Sequence, residues 1–218
     1  MRPSAIDDLL APGGVALCVI DIQVDFAAPD GALARMGVPV AHTAAAIGNA
    51  ARLVGAAHGA GVPVFFVGLK TDPATDSATW IKWMRCRDVD PDSAYAVCRD
   101  GSGGEEFYRV LPRDGDRIVW KRRYSAFVET DFDARLRDMG INTLVMCGLT
   151  TECCVDSTVR DAFQRDWLVV VAGDACAAYR DDLHDHTLEV LAESFALILD
   201  TDEIAASWMR TNEKGIAV

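Results

Sequence analysis

No stretch of this sequence is apolar for long enough to cross a bilayer. Its longest hydrophobic runs, VPVFFVGL at 62–69 and WLVVVAGDACAA at 167–178, fall well short of the roughly 20 residues a spanning helix needs, so no membrane segment is expected. A secretory leader is not expected either. MRPSAIDDLLAPGG places acids where an export signal carries a basic region and then a long apolar stretch, and export is not expected. Basic residues are scarce: 21 Lys and Arg stand against 33 Asp and Glu, and the formal net charge of -12 repels the phosphates of a nucleic acid. The one basic cluster, KRRY at 121–124, is too short to reverse that field. Internal repeats, low-complexity tracts and a domain linker are also missing, so residues 1–218 read as one domain, long enough for a single sizeable core.

Cysteine is present in an odd number, seven, and scattered through apparent strands rather than set in a small loop-rich frame. That pattern points to reduced thiols and a cytoplasmic location. Cys18, Cys86, Cys98 and Cys147 read as small buried apolar residues, as free cysteines usually are, or as incidental thiols.

Short Val- and Ile-rich runs alternate with stretches of helical period, the pattern of a parallel sheet flanked by helices. Strands are predicted at 15–21, 62–69, 117–121, 143–148 and 167–174, with a shorter edge at 195–201. Helices are predicted at 40–59, 131–139, 153–165, 181–193 and 202–211, Gly140 following the second as a stop signal. The expected class is α/β: a three-layer, Rossmann-like sandwich around a mostly parallel sheet of about six strands. Residues 70–116 break the pattern and read as an excursion over one face of the sheet, where long loops cover binding sites. Trp80 and Trp83 within it are expected to anchor the loop, substrate contact being the alternative.

Open parallel sheets place ligands beyond the carboxyl ends of their strands. Those ends carry Asp21 after the first strand, Lys121 closing the third, and the adjacent Cys153 and Cys154 shortly after the fourth. Singly, each has a plain alternative: an acid capping a turn, a lysine reaching to the surface, a thiol filling space. Together they form a nucleophile, base and cation set that needs no histidine. A nearby ammonium and a helix N-terminus both favour thiolate, so the thiol pKa is expected to fall from ~8.5 by a unit or more. Val155, Thr158, Val159, Ala162 and Phe163 follow the spacing of a core-facing stripe, but periodicity does not choose between the cysteines. A vicinal disulfide or a metal bound by both sulfurs remains an alternative, disfavoured because no histidine or second cysteine pair stands near.

The motifs VIDIQVDFAAPDGAL, KRRYSAFVETDFDARLRDMGINTLVMCGLTTECCVDSTVRDAF and VVVAGDACAAY, which span most of the chain, resemble the isochorismatase-like cysteine hydrolases. The resemblance fades over 70–116. It implies the isochorismatase-like fold, Cys154 as nucleophile, Asp21 as base and Lys121 as stabilising cation. It further implies a cis peptide between Leu149 and Thr150 and an oxyanion hole formed by the N–H groups of Thr150 and Cys154. Members commonly assemble as dimers or tetramers, so a homo-oligomer is expected. The nicotinamidase branch holds a metal with an aspartate and two histidines near the stretch matching LKTDPATD, where this chain has only Asp72 and Asp76. No metal and no cofactor are therefore expected, and nicotinamide is disfavoured. His184 and His186 read as surface residues. KRRYSAF at 121–127 is most similar to the ureidoacrylate and biuret amidohydrolases, with Arg123 and Tyr124 as candidate substrate-binding residues alongside Gln23 and Phe26. The expected activity is hydrolysis of a linear amide, ureido or carbamoyl C–N bond of a small molecule through a thioester-type intermediate. Vinyl ether hydrolysis of the isochorismatase type, or a non-catalytic binding domain on the same fold, are the alternatives.

Overall fold

Strands form where Val and Ile runs are covered on both sides. In the computed structural model, which describes residues 3–215, every residue of β1 (Val15–Ile20), β2 (Val64–Leu69) and β4 (Thr143–Leu149) is buried. With β3 (Arg117–Lys121), β5 (Leu168–Ala177) and β6 (Leu197–Leu199) they make one sheet in the order β3-β2-β1-β4-β5-β6. All five pairings are parallel. The expectation of a mostly parallel sheet is met and exceeded. β5 runs on to Ala177, beyond the expected end at residue 174, while β6 is shorter than expected.

The helices are α1 (Pro3–Leu9), α2 (Val24–Ala27), α3 (Ala32–Arg35), α4 (Ala44–Ala60), α5 (Ala78–Arg85) and α6 (Pro91–Tyr95), then α7 (Phe132–Asp138), α8 (Asp156–Phe163), α9 (Asp181–Ser194) and α10 (Thr201–Gly215). The connections β1–α4–β2 and β4–α8–β5 run in opposite directions across the sheet. Right-handed crossovers therefore place α4 on one face, where α10 packs against it, and α8 and α9 on the other. None of the described helices is long and apolar enough to cross a membrane.

The strand order reverses between β1 and β4, and a doubly wound sheet opens its ligand crevice at that point. Gly148 makes the junction tight. It has φ 126°, and a Cβ there would lie 2.0 Å from the Ile20 carbonyl oxygen, so only glycine lets β4 pass so close to the end of β1.

The excursion is more ordered than the sequence suggested. Asp90 caps α6 through the N–H groups of Asp92 and Ser93, Pro91 supplies the favoured first residue, and Ser77 caps α5 by accepting from the Trp80 N–H. These helices are too short to register as a period. Asp25 ties the excursion down, its carboxylate accepting from the N–H of Ala32 at 2.8 Å and of Cys98 at 2.7 Å. Trp80 packs edge-on against Tyr95, as an anchor should, with centroids 4.9 Å apart. Trp83 does not anchor: it is 47% exposed beneath the Arg87 guanidinium. Cys86, just past α5, is exposed and so an incidental thiol, whereas Cys18, Cys98 and Cys147 are buried. Phe163 also leaves its predicted stripe and lies half-exposed against Phe195.

Candidate active site

Three segments deliver the site to one rim. Asp21 follows β1 directly in a left-handed conformation, φ 49°, with its N–H bonded to the Val67 carbonyl at 2.8 Å. Lys121 is the last residue of β3, and its entirely buried side chain spans the end of β2 to reach Asp21. Cys154 lies in a wide turn of π type, Thr151–Val155, between β4 and α8 rather than at a plain helix start. The peptide bond between Leu149 and Thr150 is cis.

The Lys121 ammonium holds the group together. It is 2.7 Å from Asp21 Oδ2, donates to the Arg123 carbonyl at 3.0 Å, and lies 3.4 Å from Cys154 Sγ. Its contact with Asp21 is an ion pair off the ideal hydrogen-bond direction, and Asp21 Oδ1 has no hydrogen-bond partner. That oxygen is open to a proton. Thr158 links the remaining parts: its hydroxyl donates to the Cys154 carbonyl at 2.7 Å and accepts the Ala126 N–H at 3.2 Å. The loop after β3 is thereby pinned to the turn that carries the thiol. Its place in the apolar stripe gave no hint of this.

Burial sets the proton distribution. It pushes the Asp21 carboxyl above its ordinary range, against the opposing charge of Lys121. Burial alone would lower Lys121, but the Asp21 charge and the Cys154 sulfur outweigh it and hold the ammonium charged. The Cys154 thiol is raised well above its usual value by a hydrogen bond that it donates to Cys153, by burial and by the Asp21 charge, with Lys121 opposing. The expected depression of this pKa is thus corrected: the bond to Cys153, desolvation and a neighbouring carboxylate together exceed the pull of one cation. The arrangement binds one proton between carboxylate and thiol beside a permanent positive charge. Both cysteines of the pair are free thiols.

A cavity of about 250 Å³ opens onto Cys154 and Thr150, with Phe26, Leu69, Trp80 and Tyr124 among its walls. Phe26 and Tyr124 thus lie where substrate-binding residues were expected. Gln23 does not. Its amide donates to the carbonyls of Leu69 and Glu105 and accepts the Leu69 N–H, so it clamps the end of β2 to the excursion with no polar atom to spare. Arg123 faces a neighbouring groove, paired with Glu129 at 3.5 Å, because its own carbonyl is turned inward to Lys121. Tyr179 was missed. It walls the cavity and donates to the Phe26 carbonyl at 2.8 Å, and its place just past β5 was the available signal. His186 is exposed as expected, but His184 is partly buried, its Nδ1 2.8 Å from the hydroxyl of the buried Thr151.

The donor set does not suit a metal. Asp72 caps the Ala74 N–H, Asp76 is paired with both terminal nitrogens of Arg99 at 3.0 Å, and no three His, Cys, Asp or Glu side chains converge among the described residues.

Comparison with known proteins finds relatives in both sequence and structure. A family model described as the isochorismatase domain matches residues 15–203. The ureidoacrylate amidohydrolase RutB of Methylobacterium radiotolerans is 34% identical over 209 residues, covering 91% of this chain and 80% of that protein. Its counterpart in Pseudomonas syringae pv. syringae is 36% identical over 178 residues, covering 76% and 71%. Among solved structures, a cysteine hydrolase from Pseudomonas syringae pv. phaseolicola superposes with a TM-score of 0.80 at 26% identity, covering 97% of this chain and 95% of that one.

Proposed function

The chain belongs to the isochorismatase family, and on that footing we propose that it is a cysteine amidohydrolase acting on a linear amide, ureido or carbamoyl C–N bond of a small molecule, without a metal. The observation that carries this reading is the contact set of Lys121, 2.7 Å from Asp21 and 3.4 Å from Cys154 Sγ, where Cys154 lines a cavity. The relatives named ureidoacrylate amidohydrolase support the bond class.

In the proposed reaction, Asp21 takes the thiol proton as Cys154 Sγ forms a bond to the substrate carbonyl carbon. The charge moves to the carbonyl oxygen, which the N–H groups of Thr150 and Cys154 receive. Collapse of this intermediate breaks the C–N bond, and Asp21 returns the proton to the departing ammonia or amine. A thioester remains, or a thiocarbamate from a urea. Water, deprotonated by Asp21, then attacks it and releases the acid and the thiol. Lys121 keeps its charge throughout, so the Asp21 carboxylate and the Cys154 thiolate form beside a fixed counterion.

A raised thiol pKa suits this scheme. The resting enzyme holds a protonated thiol next to a carboxylate of raised basicity, and thiolate forms as the substrate carbonyl arrives. The test is intact-protein mass spectrometry during turnover of a panel of amides and ureas, with ammonia release measured in parallel. A mass increment on Cys154 that decays with ammonia production, and its loss in Cys154→Ala, is the expected result. Turnover surviving Cys154→Ala would point instead to chemistry that needs only Asp21 and Lys121, such as direct attack by a water that Asp21 deprotonates.

A further inference from the structure

Resting on the amidohydrolase reading, we infer that the substrate is uncharged and carries an apolar substituent. The cavity walls beyond Cys154 are built from Phe26, Leu33, Met36, Leu69 and Val97, and no Lys, Arg, His, Asp or Glu lines it. The positive charge nearest the cavity floor, Lys121, is already committed to Asp21. Arg122 and Arg123 open into the neighbouring groove, on the far side of the Leu69, Trp80 and Tyr124 side chains that both spaces share. A carboxylate carried by the substrate would therefore be buried among hydrocarbon with no counterion, above a floor that already holds Asp21. At about 250 Å³ the space is also below the roughly 300–1,000 Å³ of drug-sized sites, so the substituent is short.

The polar groups on the walls are largely spent within the protein: the Thr71 hydroxyl donates to the Tyr95 carbonyl at 3.0 Å, and the Tyr179 hydroxyl donates to that of Phe26 at 2.8 Å.

Matched pairs test the charge. 3-Ureidopropionate and butylurea differ by a terminal carboxylate in place of an ethyl group, as do succinamate and pentanamide. Wild-type kcat/KM from ammonia release is expected to favour the neutral member of each pair by about 100-fold or more, as befits an unpaired buried charge. Equal rates, or preference for the acid, would overturn the inference. Calorimetric titration of the same compounds into Cys154→Ala reads the preference without turnover. Neutral compounds that bind but are never hydrolysed by the wild type would sink the hydrolase reading alone.

Discussion

The floor and the roof of the cavity are built on different principles. The floor is carried by β1, β3 and the turn after β4. Its Asp21, Lys121 and Cys154 are all at most 5% exposed, although two of them are charged. The roof is the 70–116 excursion, two short helices whose inner residues are apolar and whose outer edge exposes Trp83 and Cys86. Charge sits on the part of the molecule held by parallel ladders, where position is set to within tenths of an ångström. Shape sits on the part held by caps and a few side-chain tethers. The division lets one constellation of reacting groups serve different substrates as the roof changes.

The contrast breaks most sharply at the thiol. Cys154→Ala is expected to cut ammonia release by about six orders of magnitude, the scale seen when a nucleophile is removed, with the fold intact by circular dichroism. Lys121→Met should cost about 3 kcal/mol in urea unfolding at neutral pH, because it strands a buried Asp21. Its sign with pH is set by Asp21, whose native pKa is already above the unfolded value and rises further without its partner. The folded state then gains relative stability as pH falls through that native pKa, so the deficit shrinks in acid. A deficit independent of pH would contradict this account of the pair.

Smaller effects belong to the roof and its tether. Asp25→Ala leaves the N–H groups of Ala32 and Cys98 without acceptors and should cost about 2 kcal/mol, seen first as faster amide exchange or proteolysis within 70–116 rather than in the sheet. In the wild type, kcat/KM is expected to fall on the acid side through an apparent pKa above the ordinary ~3.9 of aspartate, as Asp21 takes up the proton that disables it as a base. Trp83→Ala should change turnover by less than about twofold, as surface changes away from a site usually do. A large effect there would mean that the neighbouring groove belongs to the reaction.

Much of the floor was legible in the sequence. Strands buried on both faces read as unbroken Val and Ile runs, and the groups at their carboxyl ends fall where an open parallel sheet binds ligands. The roof was not legible: α5 and α6 are shorter than the stretch over which a helical period can be recognised. Nor did residue type reveal how side chains would be used. Gln23 could as well have faced substrate as the Leu69 backbone, and Arg123 could as well have faced the cavity as Glu129. His184 looked like a surface residue until α9 laid it against Thr151.

By itself the sequence determined the alternation of strands and helices, hence a parallel sheet, and placed an acid, an amine and a pair of adjacent thiols at its rim. These follow from period and from covalent position, which are local. Only the tertiary structure decided that residues 21, 121 and 154 meet, that the thiol keeps its proton, and that the cavity offers an anion no counterion. Those outcomes depend on which surfaces are removed from water together, and desolvation is a property of the assembled pocket rather than of any segment that lines it.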